Sequence, residues 1–419
     1  MSGDRLAVTA ATPADEAAEA VRAWVREAVP AAWRAAAEAG RPLREVRSFA
    51  EYRAWYPVFA AAGLVAPTWP EAYGGLDLPP ALARRLEREL APYALGRLNP
   101  LGLNLCAPAL FAHGSEAQRL RYLPRIVDAS ETWCQLFSEP GAGSDLASLA
   151  TRAERDGDTW LLTGQKVWTT WAHVADWGVC LARTDPDVPK RAGITYFLVD
   201  LHAPGVEVRP LRHITGEVDF NEVFLDAVRV PDDQRVGAEG AGWTVANATL
   251  SGERQMVAGA GSGGVDRIGG SGADALLTLA RRMGGWADPV VRRRVAGLWG
   301  EERIRGWTNA RVRAGLRAGR APGPESSIGK VHQGDLNQRI QLAACDLLGA
   351  GAIAWDAGAG EPGADRPPPE VRGMLRSRAN TIEGGTTEVN KNVIGERVLG
   401  LPREPDPYRT TPWRDVPRS

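Results

Sequence analysis

The hydrophobic period of this chain changes twice along its length, and those changes divide it into parts that need different architectures. From about Pro13 to Ser130 the apolar residues recur at helical spacing. In AEAVRAWVREAVPAAWRAAAEA, Ala, Val and Trp alternate with charges, and Pro30 predicts a break. Phe49–Ala62, Pro80–Leu95 and Ser115–Val127 read as further helices, the last with Ser115 as its cap and Glu116 in its first turn. Trp69-Pro-Glu-Ala-Tyr-Gly-Gly75 reads as a loop between them. From about Thr132 the runs shorten. TWLLTGQKVWTT, DWGVCLART, GITYFLVDL, VEVRPL and NEVFLDAVRVP are β-rich and are separated by Gly, Pro and Asp turns. Past the Gly-rich Gly237–Trp243 the chain returns to helix as far as about Trp355, with breaks expected at Gly259–Gly272 and Arg320–Pro324. A loop, AGAGEPGADRPPPE, precedes one last helical segment. The expected fold is α+β: an N-terminal helical domain over residues 1–131, a small β-barrel or β-sandwich over 132–240, and a helical domain over 241–419.

Composition narrows the function classes. The chain has 419 residues, 44% of them apolar and 24% charged, enough for a large buried core. A net charge of −1 without basic blocks argues against a nucleic-acid partner. Cys106, Cys134, Cys180 and Cys345 follow no disulfide or metal spacing and have apolar neighbours, so buried thiols in a reducing cytoplasm are expected, with no metal site. The first residues, MSGDRLAVTAATPADEAAEA, lack the apolar core of a signal peptide, and no stretch is apolar enough to span a membrane.

Three segments carry chemistry. Ser138-Glu-Pro-Gly-Ala-Gly-Ser-Asp145 is a Pro/Gly turn bracketed by hydroxyls. Its glycines let backbone N–H groups approach an anion, and Ser144 adds a donor, so a pyrophosphate is a suitable guest. It is not a dinucleotide fingerprint, because Leu146 holds the third glycine place. Gly164-Gln-Lys-Val-Trp168-Thr-Thr170 offers an aromatic face for a ring to stack on and a hydroxyl near it. Thr381–Pro402, TIEGGTTEVNKNVIGERVLGLP, is a Gly-Gly-Thr turn followed by Val389, Val393, Ile394, Val398 and Leu399 at helix spacing.

Together with WPEAYGG, HGSEAQRLRYLP, FNEVFLDAVRVP and GAGW, and in this order, these segments resemble the acyl-CoA dehydrogenase family over nearly the whole chain. The resemblance implies a C-terminal four-helix bundle, bound FAD, an acyl-CoA substrate, electron-transfer flavoprotein or a similar electron acceptor, and a homotetramer or a heterotetramer with a homologous chain. It implies that Gln135, Phe137, Ser138, Gly143, Ser144, Trp168, Thr170, Thr386 and Glu388 contact the flavin, with Asp346 and Gly349 acting across a subunit boundary. The family's pyrophosphate-gripping Arg-x-x-Phe-Gly appears here as Met283-Gly-Gly-Trp286, where Arg281 or Arg282 could substitute. The family's loop glutamate is replaced by Gly384, whose N–H can still polarise a thioester carbonyl. Glu383 lies one residue early. Glu253 matches the alternative base position of isovaleryl- and long-chain-type members and is the expected base. HITGEVDFNEVF and that Glu253 position resemble actinobacterial members acting on bulky, branched or steroid-derived acyl groups. A catalytically silent subunit and a flavin monooxygenase on the same fold are the competing readings.

Overall fold

The computed structural model describes residues 5–257, 272–318, 323–354 and 367–417. Its first part is α1 (Ala14–Ala28), α2 (Ala31–Glu38), α3 (Phe49–Ala61), α4 (Pro80–Leu90), α5 (Ala107–His113) and α6 (Glu116–Asp128). Pro30 ends α1 and stands as N-cap to α2, where its missing N–H costs nothing. Ser48 with Glu51 and Ser115 with Gln118 form capping boxes that satisfy the first turns of α3 and α6. A π-turn over Gly102–Cys106 leads into α5. Many tryptophans of this part pack with other rings: Trp33 and Trp55 meet edge to face at 5.4 Å, and Trp55 stacks on Phe59 at 6.2 Å.

The middle part is β1 (Trp133–Leu136), β2 (Arg152–Asp156), β3 (Thr159–Thr170), β4 (Trp177–Arg183), β5 (Ile194–Asp200), β6 (Val206–Leu211), β7 (Phe220–Pro231) and β8 (Arg235–Val236). They form one eight-stranded sheet in the order β6-β7-β3-β2-β4-β5-β8, with β1 running parallel to β4. Strands β4 and β5 are buried on both faces. Leu181, Tyr196 and Leu198 face the core shared with the N-terminal helices, while Cys180, Phe197 and Val199 face a core of the sheet's own with Trp160 and Val228. This double burial is why both strands read as near-continuous apolar runs instead of alternating ones.

The last part is α7 (Gly242–Val257), α8 (Ala273–Arg282), α9 (Pro289–Arg317), α10 (Ser326–Leu348), α11 (Pro369–Ser377) and α12 (Thr387–Val393). Leu276, Leu279, Val295, Leu298, Leu336 and Ile340 join α8, α9 and α10 in one core. The chain thus has the three-part architecture of helices, sheet and helices. The breaks expected at Gly259–Gly272 and Arg320–Pro324, and the loop before α11, fall largely outside the described residues. Among the described residues no helix is long and apolar enough to cross a membrane.

Candidate active site

Strand β3 supplies the first wall of the site. Its pairing with β7 loses register between Lys166 and Thr169, a bulge that takes in Trp168. There Trp168 adopts φ 60°, in the left-handed region that side chains rarely visit. A bulge re-aims a side chain, and this one leaves the Trp168 ring 55% exposed, edge to face with Phe220 at 5.7 Å between ring centres. Left-handed backbone at a non-glycine costs about 1–2 kcal/mol. It persists here at a residue that presents an exposed aromatic ring.

Behind the bulge lies a group that strand period could have revealed. Alternation along β3 sends Trp160, Leu162 and Lys166 to the buried face, so an inward lysine demands partners. Lys166 is fully buried, and its Nζ donates to Glu139 Oε1 (2.8 Å), Leu181 O (2.8 Å) and Phe137 O (3.2 Å). Glu139 also accepts from the N–H groups of Ala150 (2.6 Å) and Thr151 (2.9 Å). Burial pushes the Glu139 carboxyl up, but the Lys166 charge and these hydrogen bonds win and hold it below the usual carboxylate range.

This pair braces the Ser138–Asp145 turn from within. Ser138 O accepts from Val167 N (2.9 Å), and Glu139 and Ala142 exchange backbone hydrogen bonds of 3.0 Å. Gly143 and Ser144 are exposed, and a Cβ added at Gly141 or Gly143 would meet nothing within 4 Å. The loop therefore turns a rigid strip of backbone towards open space, which fits the pyrophosphate expected there. Phe137 instead turns its ring inward, 6.0 Å from Tyr196. Gln135 lies on β1 and Thr170 ends β3.

The Gly-Gly-Thr turn forms the opposite wall. Gly384 (φ 65°) and Gly385 (φ 84°) are both left-handed, a pair of conformations open to glycine at no steric cost. Thr386 Oγ1 accepts from Val389 N (3.1 Å) and caps α12, and Glu388 is exposed in its first turn. Glu383 is engaged. Its carboxylate accepts from Arg376 Nη2 (2.9 Å) and Asn380 Nδ2 (2.8 Å). The relay continues from Asn380 Oδ1 to Asn337 Nδ2 (2.7 Å) and from Asn337 Oδ1 to Gln341 Nε2 (2.9 Å) on α10. Buried Lys330 donates to Asn380 O. A polar spine in the bundle thus fixes the turn.

The two walls meet through the hairpin between β6 and β7. Phe220 packs against Trp168, and the Arg376 guanidinium lies 6.0 Å over the Phe220 ring. His213 packs edge-on to the same ring at 5.6 Å. Glu217 accepts from Arg372 Nε at 2.8 Å, stapling the hairpin to α11. His213, Glu217 and Asp219 come together in this hairpin, with Glu217 already committed to Arg372. Phe220 opens the FNEVFLDAVRVP segment but was given no role there, and no motif in the sequence flagged Arg376 or Asn380, whose neighbours Phe220 and Asn337 are distant in sequence.

The remaining expected residues sit elsewhere. Asp346 pairs with Arg294 (2.5 Å) near the end of α10, and Gly349 (φ 54°) closes that helix. Arg281 lies over the Trp286 ring at 5.5 Å, and Arg282 pairs with Glu370 at 3.3 Å. Glu253 is on α7, and its side chain lies outside the described residues. The four thiols are wholly or partly buried, and burial pushes each of them up.

Known proteins match this arrangement along the chain. The N-terminal, middle and C-terminal domain models of acyl-CoA dehydrogenases match residues 13–130, 134–228 and 240–399. Acyl-CoA dehydrogenase IpdE1 of Mycobacterium tuberculosis is 40% identical over 395 residues, which is 92% of this chain and 97% of that protein. Among solved structures, the Tcur3481-Tcur3483 steroid acyl-CoA dehydrogenase is 27% identical with a TM-score of 0.71, covering 95% of this chain and 100% of that one. The ChsE4-ChsE5 complex of Mycobacterium tuberculosis is also 27% identical, with a TM-score of 0.67 over 94% of this chain and 99% of that one.

Proposed function

The chain belongs to the acyl-CoA dehydrogenase family, and on that premise we propose that it is an FAD-dependent enzyme desaturating a bulky or branched acyl-CoA. The observation that carries this reading is the meeting of Trp168 and the Gly384 turn across Phe220 and Arg376. A ring-stacking wall and a thioester-binding turn then face one reaction space. When bound, FAD supplies the acceptor for the β-hydride. Ser138, Gly143 and Ser144 would hold its pyrophosphate side, and Trp168, Thr170 and Thr386 its ring side, with Gln135, Phe137 and Glu388 around them. The Gly384 N–H polarises the thioester carbonyl and so acidifies Cα–H. The Glu253 carboxylate takes the α-proton while hydride leaves Cβ, and the electrons of the Cα–H bond become the new double bond. Glu383 is unsuited to that task, because its lone pairs are held by Arg376 and Asn380.

The likeness to a steroid-acting enzyme supports a bulky acyl group. Electron-transfer flavoprotein or a similar acceptor would reoxidise the flavin. A second reading, a silent subunit completed by a homologous chain, is favoured by Asp346, Arg281 and Arg282 being spent on contacts within the chain. Likeness to the ChsE4-ChsE5 complex points the same way. The visible spectrum of the protein purified alone tests both. A stoichiometric flavin band bleached by a steroid side-chain acyl-CoA supports the first reading. Flavin and turnover gained only with a homologous chain support the second. Protein that takes up no FAD in any assembly refutes the cofactor assignment.

A further inference from the structure

The chain continues past α12 and returns to the sheet. Pro412 forms a bridge with Pro189, Trp413 N donates to Val188 O (2.9 Å), and Arg414 N donates to Pro186 O (3.1 Å). The Arg414 guanidinium pairs with Asp187 (2.5 Å), and Val416 is buried. At the centre of this docking the Trp413 ring lies 4.3 Å over the Arg183 guanidinium, and its Nε1 donates to Ser148 O (3.3 Å).

Arg183 is buried, and it is a hub. It donates to Ala147 O (2.7 Å), Leu149 O (3.1 Å) and Lys190 O (3.0 Å). Two of those acceptors, on Ala147 and Leu149, lie a few residues beyond Ser144. Asp145 closes the gap by accepting from Ser148 Oγ (2.5 Å) and Lys190 Nζ (2.6 Å). The Ser138–Leu149 segment is thus anchored at its start by Lys166 and Glu139 and at its end by Arg183. A planar guanidinium holds three carbonyls well only while water is kept from competing for its N–H groups, and the Trp413 ring covers one face.

We propose that Trp413 is a positioning residue for the pyrophosphate loop: by capping Arg183 and binding Ser148 O it holds the Ser138–Leu149 segment in the form that receives FAD. This rests on the FAD reading above, although the anchoring itself does not. Trp413 touches the hub and Ser148, so its loss acts on residues 139–149 before it acts on the fold.

The test compares wild-type protein with Trp413→Ala, Trp413→Phe and, as a tail control, Tyr408→Ala. Flavin is stripped, and FAD affinity is read by fluorescence quenching on re-addition. Amide hydrogen exchange of residues 139–149 is followed without flavin, alongside the melting temperature. Trp413→Ala is expected to weaken FAD binding roughly tenfold, the scale of one stacked cation and one hydrogen bond. It is also expected to speed exchange across 139–149 in flavin-free protein, with little change in melting temperature. Trp413→Phe keeps the stack and loses the donor, so it falls between, and it decides the matter should Trp413→Ala aggregate. Tyr408→Ala stays at wild type. Unchanged affinity and exchange in the Trp413 variants overturn the proposal. Wild-type protein that binds no FAD, alone or with a homologous chain, overturns the cofactor reading, and the exchange comparison still decides the anchoring.

Discussion

A carboxylate that already accepts from a guanidinium and an amide is poorly placed to abstract a proton, and Glu383 is in that position. Its removal costs the turn more than it costs the chemistry. Glu383→Gln is expected to lower the melting temperature by a few degrees, as expected for ~1–2 kcal/mol, while changing turnover only mildly. Glu253→Gln should do the opposite: flavin content and melting temperature stay, and turnover falls by roughly 10²–10⁴-fold. Stopped-flow flavin bleaching together with thermal melts reads both, and reversed results would make Glu383 the base. A second titratable residue has a predictable pH signature. Asp232 accepts from Arg235 Nε (2.9 Å) and Trp160 Nε1 (2.7 Å), and these bonds, the Arg235 one foremost, bring its carboxyl down to about 2. The folded chain therefore holds that proton less tightly than the unfolded chain, whose aspartate titrates near ~3.9. The resulting stability is present above that value and is lost as the pH falls towards about 2. Asp232→Asn is expected to unfold at lower urea than wild type at pH 7, with the gap narrowing steadily below about pH 4. A gap that stays constant with pH would remove the charge from the explanation.

At the scale of elements, β3 does two jobs with one run of residues. Its inward face carries Lys166 into the core beside Glu139, and its bulged end turns Trp168 outward. Breaking a buried pair strands a charge, so Lys166→Met is expected to cost about 3–5 kcal/mol and to loosen the Ser138–Asp145 turn. Lys166→Met combined with Glu139→Gln should recover most of that, as a urea titration of the three proteins would show. Strands such as Thr159–Thr170 and Val206–Leu211 were legible to the residue, because period two and flanking turn residues agree there. β1 and β2 were not singled out. RAERD is polar and short, and it is a strand because β3 and β4 offer it partners. Pro80–Leu95 read as one helix, yet it ends at Leu90 and tightens over Ala91–Tyr93, with Ala94 left-handed. The Ser138–Asp145 and Gly384 segments could be read from local composition. The spine from Gln341 through Asn337 to Asn380 could not, since a polar residue in a helix announces burial only once its neighbours are in place.

At the scale of the whole molecule, the helical face read in the last segment is uncovered at its ends, with Val393, Ile394 and Val398 half-buried. Val389, Leu399 and Leu401 are exposed, Leu399 by 66%, and Ile304 and Trp307 stand out from α9. Large exposed apolar side chains are a common mark of a surface that a partner covers. We expect a tetramer in solution, formed by this chain alone or with a homologous one. Light scattering of the purified protein, then of the protein mixed with a homologous chain, checks this, and a flavin-bearing monomer would contradict it. Trp307→Glu is expected to lower the assembly state without unfolding the chain, which circular dichroism can verify.

The paired left-handed glycines also bear on the descent of this site. From a GGA or GGG codon glycine reaches glutamate by a single base change, so from those codons a loop carboxylate at position 384 is within genetic reach. Its arrival would nevertheless place a long side chain on backbone at φ 65°, at a cost of about 1–2 kcal/mol. The turn would have to rebuild before that carboxylate could serve, against a spine that holds Asn380 and Glu383 in their present places. A carboxylate at 384 is thus opposed by the turn, which agrees with the proposed base on another wall.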